Sequence, residues 1–243
     1  MEITKHEILA SVSIVAIMLF VGILISQKIS EYQTDKNEIY NKAVKIESSD
    51  LFQYGLDTDV GNAFVYGELK AVDTVTYPEI SGEYMYVNKV KEHYTRHTRQ
   101  VKHTRTVNGK SQTYYTTEVY YTWDKVDSDS KTCKCITFCN VEFSSSKIRF
   151  PDAQHIDTLY ETSKDRWKYY GTDAEHKGTI FAQLKDHTIQ EKTKFYENKN
   201  IEETVETLSK EGMIFSILFW VFWIALIIGI VCGFYYLDNE WLN

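Results

Sequence analysis

Two groups of residues have the types and local spacing to do chemistry: the cysteines of Cys133-Lys-Cys135-Ile-Thr-Phe-Cys139, and His93, His97 and His103. Thiolates and imidazoles are nucleophiles and transition-metal ligands, so each group is read first for metal, redox or nucleophilic chemistry. On an extended strand the histidines share one face and stand about 13 and 20 Å apart, at roughly 3.3 Å per residue. A zinc ion holds its nitrogens at about 2 Å, so the three do not converge on one ion along a regular ribbon. They read as hydrogen-bonding surface residues, with His93 opposite Asp124 the pair placed to titrate unusually. The cysteines fall on one face of a strand, where only Cys133 and Cys135 come close, about 7 Å apart. Cys-x-Cys is not the Cys-x-x-Cys knuckle of zinc sites, and no nearby pair completes four ligands. An odd number of domain cysteines also leaves no closed disulfide framework. Cys133 and Cys135 are the candidate metal or redox residues, although small buried thiols need neither role. No cofactor is expected. The chain contains no nucleophile elbow, Walker loop, zinc-protease His-Glu pair or Rossmann glycine fingerprint. A non-catalytic protein is therefore expected, with a membrane-bound thiol enzyme as the alternative from another class.

A third group binds rather than reacts. Between residues 89 and 110 there are seven Lys or Arg against one Glu, in a chain of formal net charge -7. The surrounding stretch, 84–124, reads as one β-hairpin turning at Asn108-Gly109, because Asn-Gly favours a two-residue type I′ turn. That turn sets the register of both arms. One face pairs Tyr94 with Trp123, Arg96 with Tyr121, Thr98 with Val119, Lys102 with Tyr115 and Thr104 with Thr113. The other pairs His93 with Asp124, His97 with Tyr120, Arg99 with Glu118, Val101 with Thr116 and His103 with Tyr114. Arg99 opposite Glu118 contributes roughly 0.2–1 kcal/mol, and a one-residue slip would lose it. Arg96, Arg99, Lys102 and Arg105, with Tyr115 and Tyr121, are the candidate partner-binding residues, an electrostatic footprint for an anionic partner such as lipid headgroups, a polyanion or nucleic acid. The same pattern suits a solvated ribbon whose cationic stems lie over tyrosines and guard an open edge. Nucleic acid is not the expected partner.

Two apolar stretches, 8–26 and 213–237, are each long enough to cross a bilayer as a helix, which takes about 20 residues. The first lacks a basic leader and a small-x-small cleavage site before Gln27-Lys28, so it reads as an uncleaved anchor. Tyr235, Tyr236 and Trp241 form the aromatic belt expected at the end of the second. Helical spacing continues past the first span through Ile25, Ile29, Tyr32, Ile39, Ala43 and Ile46. Asn200 with Glu203 makes a capping box ahead of Ile201, Val205 and Leu208. The organisation expected is an anchor (1–26), a helical stalk (27–47), a β-rich soluble domain (48–198), a second stalk (199–212), a transmembrane helix (213–237) and a tail (238–243). The fold class is thus an α+β membrane protein, two transmembrane helices with helical stalks flanking a mainly antiparallel β-rich domain. The stalks are expected to pack side by side. Gly229-x-x-x-Gly233 is expected to meet Ala10 and Ser11 at similar depth, leaving Gly22-x-x-x-Ser26 free for a second copy or another membrane protein. Within the domain, 63–69, 133–143, 178–184 and 188–196 read as strands and 152–161 as a short helix. No repeat is apparent.

Val65-Tyr66-Gly67, Pro78, Ser81-Gly82, Tyr84, Tyr86, Glu92-His93, Trp123 and Val141-x-Phe143 together resemble the GIDE-type domain found between two membrane spans, and more loosely the luminal domain of LUMA-type membrane proteins. The resemblance covers residues 62–145 and implies architecture only. GIDE proteins often continue into a RING ligase domain, whereas this chain ends six residues after its second span, so ligase activity is not carried over. Lys28, Lys36, Lys42, Lys45, Lys194, Lys199 and Lys210 flank the spans on the domain side, against Lys5 beyond them. By the positive-inside rule this favours a cytoplasmic domain, while the resemblance implies a luminal or extracytoplasmic one. The expected function is that of a two-pass membrane protein whose β-rich domain scaffolds or binds a partner through the basic hairpin. Membrane lipids, another membrane protein or a second copy, and an anionic ligand are the candidate partners. A phage-encoded host-membrane modifier is a third class, with no residue in its favour.

Overall fold

The computed structural model describes residues 5–107 and 110–241. Two helices, α1 (Lys5–Lys42) and α3 (Ile201–Trp241), bracket everything else, and both are long and apolar enough to cross a membrane. At 38 and 41 residues they run about 57 and 62 Å, twice the roughly 30 Å of a bilayer core, so each is long enough to cross one and continue beyond it. Neither contains proline, and each polar half is laced by close pairs such as Lys28 with Glu31 and Lys210 with Glu206. The capping box forms as expected: Glu203 N–H donates to Asn200 Oδ1, and Asn200 N–H to Glu203 Oε2.

The helices run antiparallel and in contact, but their small residues play the reverse of the expected parts. Gly22 is buried, and a Cβ there would lie 2.4 Å from Trp223 Nε1. Trp223 donates to the Met18 carbonyl and Trp220 to Ser26 Oγ, so the indoles find both room and acceptors beside Gly22 and Ser26. At Gly229 and Gly233 an added Cβ meets nothing within 4 Å among the described residues. Large-into-small packing has replaced the small-against-small contact with Ala10 and Ser11. Ser11 instead meets Tyr235 through its hydroxyl, 3.2 Å away. Nearer the domain, Gln33 Nε2 donates to the Gly212 carbonyl and Ser216 Oγ to Gln33 Oε1, so the stalks are joined as well.

Between the helices lie β1 (Val44–Ile46), α2 (Ser49–Asp57), β2 (Gly61–Ala71), β3 (Tyr84–Val107), β4 (Lys110–Thr132), β5 (Cys135–Phe138) and β6 (Val141–Ser144). β7 (Ile148–Arg149), β8 (Gln154–Tyr160), β9 (Asp165–Asp173), β10 (Glu175–Lys185), β11 (Thr188–Ile189) and β12 (Thr193–Glu197) follow. One sheet orders its strands β6-β5-β2-β10-β12-β7, with β1 joined to β2 and β11 to β10; the other orders them β4-β3-β9-β8. Pairing is antiparallel except for β1 on β2 and β7 on β12. The first sheet carries the main core, including Val65, Leu69, Ile136, Phe138, Ile180 and Leu184, closed by Phe52 and Leu56 of α2. A smaller core of Tyr77, Tyr84, Val87 and Tyr169 holds the second. β3 is shared, since Met85 enters the first core while Tyr84 and Val87 enter the second.

Several expected elements change. The first stalk ends at Lys42, and residues 44–46 pair as a strand with β2. Residues 154–160 are strand, not helix: a bulge between His155 and Asp157 breaks the two-residue alternation, so Ile156 and Leu159, three residues apart, both pack on the smaller core while Tyr160 is exposed. Residues 133–143 are not one strand but a hairpin turning at Cys139-Asn140, both at positive φ (48° and 64°). Residues 188–196 divide into β11 and β12 around Lys192, again at positive φ (57°). The helix α2, capped by Ser48 and burying Phe52, Gly55 and Leu56, was not expected.

Candidate functional site

The hairpin is longer than its sequence signal, 24 residues in β3 and 23 in β4, and every expected pair forms, from Tyr94 opposite Trp123 to Lys102 opposite Tyr115. The Asn108-Gly109 turn lies outside the described residues; Val107 pairs with Lys110 on either side of it. β9 accompanies β3 only as far as His93, where it ends opposite Asp165. Beyond that point residues 94–107 and 110–123 project as a two-stranded ribbon.

The base of the ribbon is locked by aromatic and ionic contacts. Arg166 lies 4.1 Å over the Trp123 ring and 2.6 Å from Glu92, which also meets Lys168 at 3.3 Å. Tyr94 stacks on Tyr121 at 5.3 Å and packs on Trp123 at 5.2 Å. His93 bonds to Asp165 at 2.7 Å rather than to its cross-strand neighbour Asp124, which is taken by His97 at 2.6 Å. His93 and Asp124 stay opposite in the register, but the side-chain contact expected between them is replaced by two others, because β9 brings Asp165 to His93. The His93 hydrogen bond, then that of Thr162, holds the Asp165 carboxyl below its ordinary range; Thr122, then His97, does the same for Asp124.

The register divides the six candidate binding residues between two unlike faces. Arg99 and Arg105 share a face with His97, His103, Tyr114, Tyr120, Glu118 and Asp124. There Arg99 is 2.8 Å from Glu118 and lies over Tyr120, Arg105 lies over Tyr114, and each histidine stacks on its cross-strand tyrosine. Arg96, Lys102, Tyr115 and Tyr121 occupy the other face, which carries no carboxylate between residues 94 and 123. Among the described residues neither Arg96 nor Lys102 makes an ion pair, and Tyr115 is 63% exposed.

A sequence signal for this arrangement was present and overlooked. Arg96-His-Thr-Arg-Gln-Val101 is followed directly by Lys102-His-Thr-Arg-Thr-Val107. On the return arm Tyr114-Tyr-Thr-Thr-Glu118 matches Tyr120-Tyr-Thr-Trp-Asp124. Six is even, so on a strand each repeat returns its residues to the same face, and the cation–tyrosine pair recurs after about 20 Å.

The cysteines are not assembled for chemistry. Cys133 precedes β5, Cys135 opens it and Cys139 sits in the turn that follows, so the three do not share one strand face. Burial pushes the Cys133 and Cys139 thiols up to about 11, which suppresses the reactive thiolate. Asp73 accepts from the backbone N–H groups of Lys134 and Cys135, an arrangement that anchors the segment. Cys139 Sγ occupies the space over Gly67, where a Cβ would come within 2.1 Å of it; this is a packing role. In comparison with known proteins the chain matches no family model, no curated protein and no solved structure.

Proposed function

We propose that this is a two-pass integral membrane protein that binds a partner without catalysis, presenting the β3–β4 ribbon as its contact element. The observation that carries the reading is the ribbon itself: 14 residues of each arm extend past the last sheet neighbour, solvated on both sides, with the chain's densest cluster of cations. Beyond its base the ribbon contributes no described residue to either core, while the base itself is held by Arg166 over Trp123 and against Glu92. Converting Arg96, Arg99, Lys102 and Arg105 together to Gln is expected to abolish binding to anionic liposomes while leaving the thermal unfolding of the full-length protein unchanged. Wild-type binding should also weaken steeply between low and physiological salt, where screening shortens to about 8 Å. Binding that survives the four changes and is indifferent to salt sinks the reading.

The domain faces the cytoplasm on this reading, as the seven lysines flanking the spans favour. Its native cysteines are poor reporters, since Cys133 and Cys139 are buried with suppressed thiolates. Thr104→Cys, on the exposed ribbon, supplies a better one in a Cys135→Ser/Cys232→Ser background, which removes the two cysteines that are not buried. A membrane-impermeant maleimide is expected to label it only after permeabilisation. Labelling in intact cells would place the domain outside.

A further inference from the structure

The two faces of the ribbon are chemically distinct, and only one suits a ligand. We infer that the carboxylate-free face docks on an anionic phospholipid surface through Arg96 and Lys102, flanked by the exposed rings of Tyr115 and Tyr121. This rests on the reading of the ribbon as the binding element and narrows it to one face and one ligand.

Three observations converge. First, the carboxylate-free face of β3 is exposed throughout, at Arg96, Thr98, Gln100, Lys102 and Thr104, whereas on the other face Thr95, His97, Val101 and His103 are half-buried and only Arg99 and Arg105 are exposed. Charge is the second. Arg99 is spent on Glu118, Arg105 lies against Tyr114, and that face also carries Asp124, whereas Arg96 and Lys102 have only aromatic and hydroxyl neighbours across the ribbon. An anionic surface approaching the face of Arg96 and Lys102 meets two cations and no carboxylate; approaching the other it meets Arg99 and Arg105 offset by Glu118 and Asp124. Third, Tyr beside Lys and Arg is a composition of the membrane–water interface, where an amphipathic ring seats at headgroup level. A dispersed polyanion would use the cations but gain less from Val119, which lies on the same face among the tyrosines.

From Ser26, the end of the first apolar stretch, to Lys42 the helix rises about 24 Å. The ribbon extends about 46 Å from Tyr94, so it is long enough to return to the bilayer that anchors the protein or to touch one opposite. Tethering raises the local concentration of that surface, so modest intrinsic affinity suffices.

The test uses the full-length protein in phosphatidylcholine nanodiscs, floated with vesicles of phosphatidylcholine alone or with 30% phosphatidylserine, about −30 to −50 mV at the surface. Wild type is expected to float with the anionic vesicles only. R96Q/K102Q should bind roughly thirty-fold more weakly, as expected for two surface cations, and R99Q/R105Q should change binding by less than about threefold. Y115S/Y121S should weaken binding at high salt, where the electrostatic part is screened, and an unchanged high-salt affinity counts against the aromatic contact. All variants are checked for unchanged thermal unfolding. Equal losses from both double charge variants would overturn the face assignment while leaving the cationic ribbon as the binding element. Tighter binding of single-stranded DNA or heparin than of anionic vesicles would overturn the lipid assignment. No binding by wild type to any of these probes at low salt would remove both this inference and the function it rests on.

Discussion

Replacing Gly22 with leucine is expected to part the two long helices, whereas Gly229→Leu and Gly233→Leu leave them together. A Cβ at position 22 would sit 2.4 Å from Trp223 Nε1 and 2.7 Å from Cδ1, with the indole already fixed by its bond to the Met18 carbonyl. Neither partner is the far end of a flexible chain, so the helices must move or the ring must leave its acceptor. Overpacking of this kind costs about 1–3 kcal/mol, and a buried indole N–H without a partner adds to it. The readout is disulfide cross-linking between Gln33→Cys and Gly212→Cys, placed where an added Cβ at 212 lies 3.4 Å from Gln33 Cγ. The yield should fall several-fold with Gly22→Leu and remain unchanged with either C-terminal glycine variant. The opposite pattern would restore the small-against-small packing that the sequence alone suggests and would show that the indoles do not set the helix contact.

The second large effect lies in the domain core. Phe52→Ala is expected to destabilise the protein by about 3–5 kcal/mol, a large share of the roughly 5–15 kcal/mol that a domain of this kind retains. Phe52 is fully buried and packs edge-on against Phe138 at 5.7 Å and tilted against Phe143 at 6.1 Å. It is therefore the residue through which α2 closes the β5–β6 end of the main sheet, and no nearby backbone can collapse into the gap without moving that hairpin. Tyr54→Ala on the opposite side of α2, where the ring is 64% exposed, should change stability by less than about 0.5 kcal/mol. Denaturant unfolding of the full-length protein in nanodiscs, followed by a domain signal, separates the two. Equal effects would mean that α2 does not seal the core.

These two residues mark where local reading stops. Phe52 sits in a nine-residue helix with only three buried positions, Phe52, Gly55 and Leu56. A pattern that short has no periodicity long enough to distinguish it from a loop, and its role depends on Phe138 and Phe143, more than 80 residues away. The bulge at 155–157 misled for the opposite reason, since it manufactured a helical spacing within a strand. The hairpin register was legible to the residue because one turn and a two-residue alternation propagate along both arms without outside help. His93 failed where a third strand intervened: β9 supplied Asp165, and no local rule announces a neighbour 72 residues away.

The sequence by itself determined what depends on near neighbours: two apolar helices, the capping box at Asn200, the strand-rich interior and the pairing of the ribbon. Each follows from periodicity, hydropathy or a turn whose cause and effect lie within a few residues. Tertiary structure alone decided which glycines meet an indole, which carboxylate each histidine takes and where the ribbon leaves the sheet. Those outcomes depend on competition between groups distant in the chain, settled by packing volume and by which donor reaches an acceptor first.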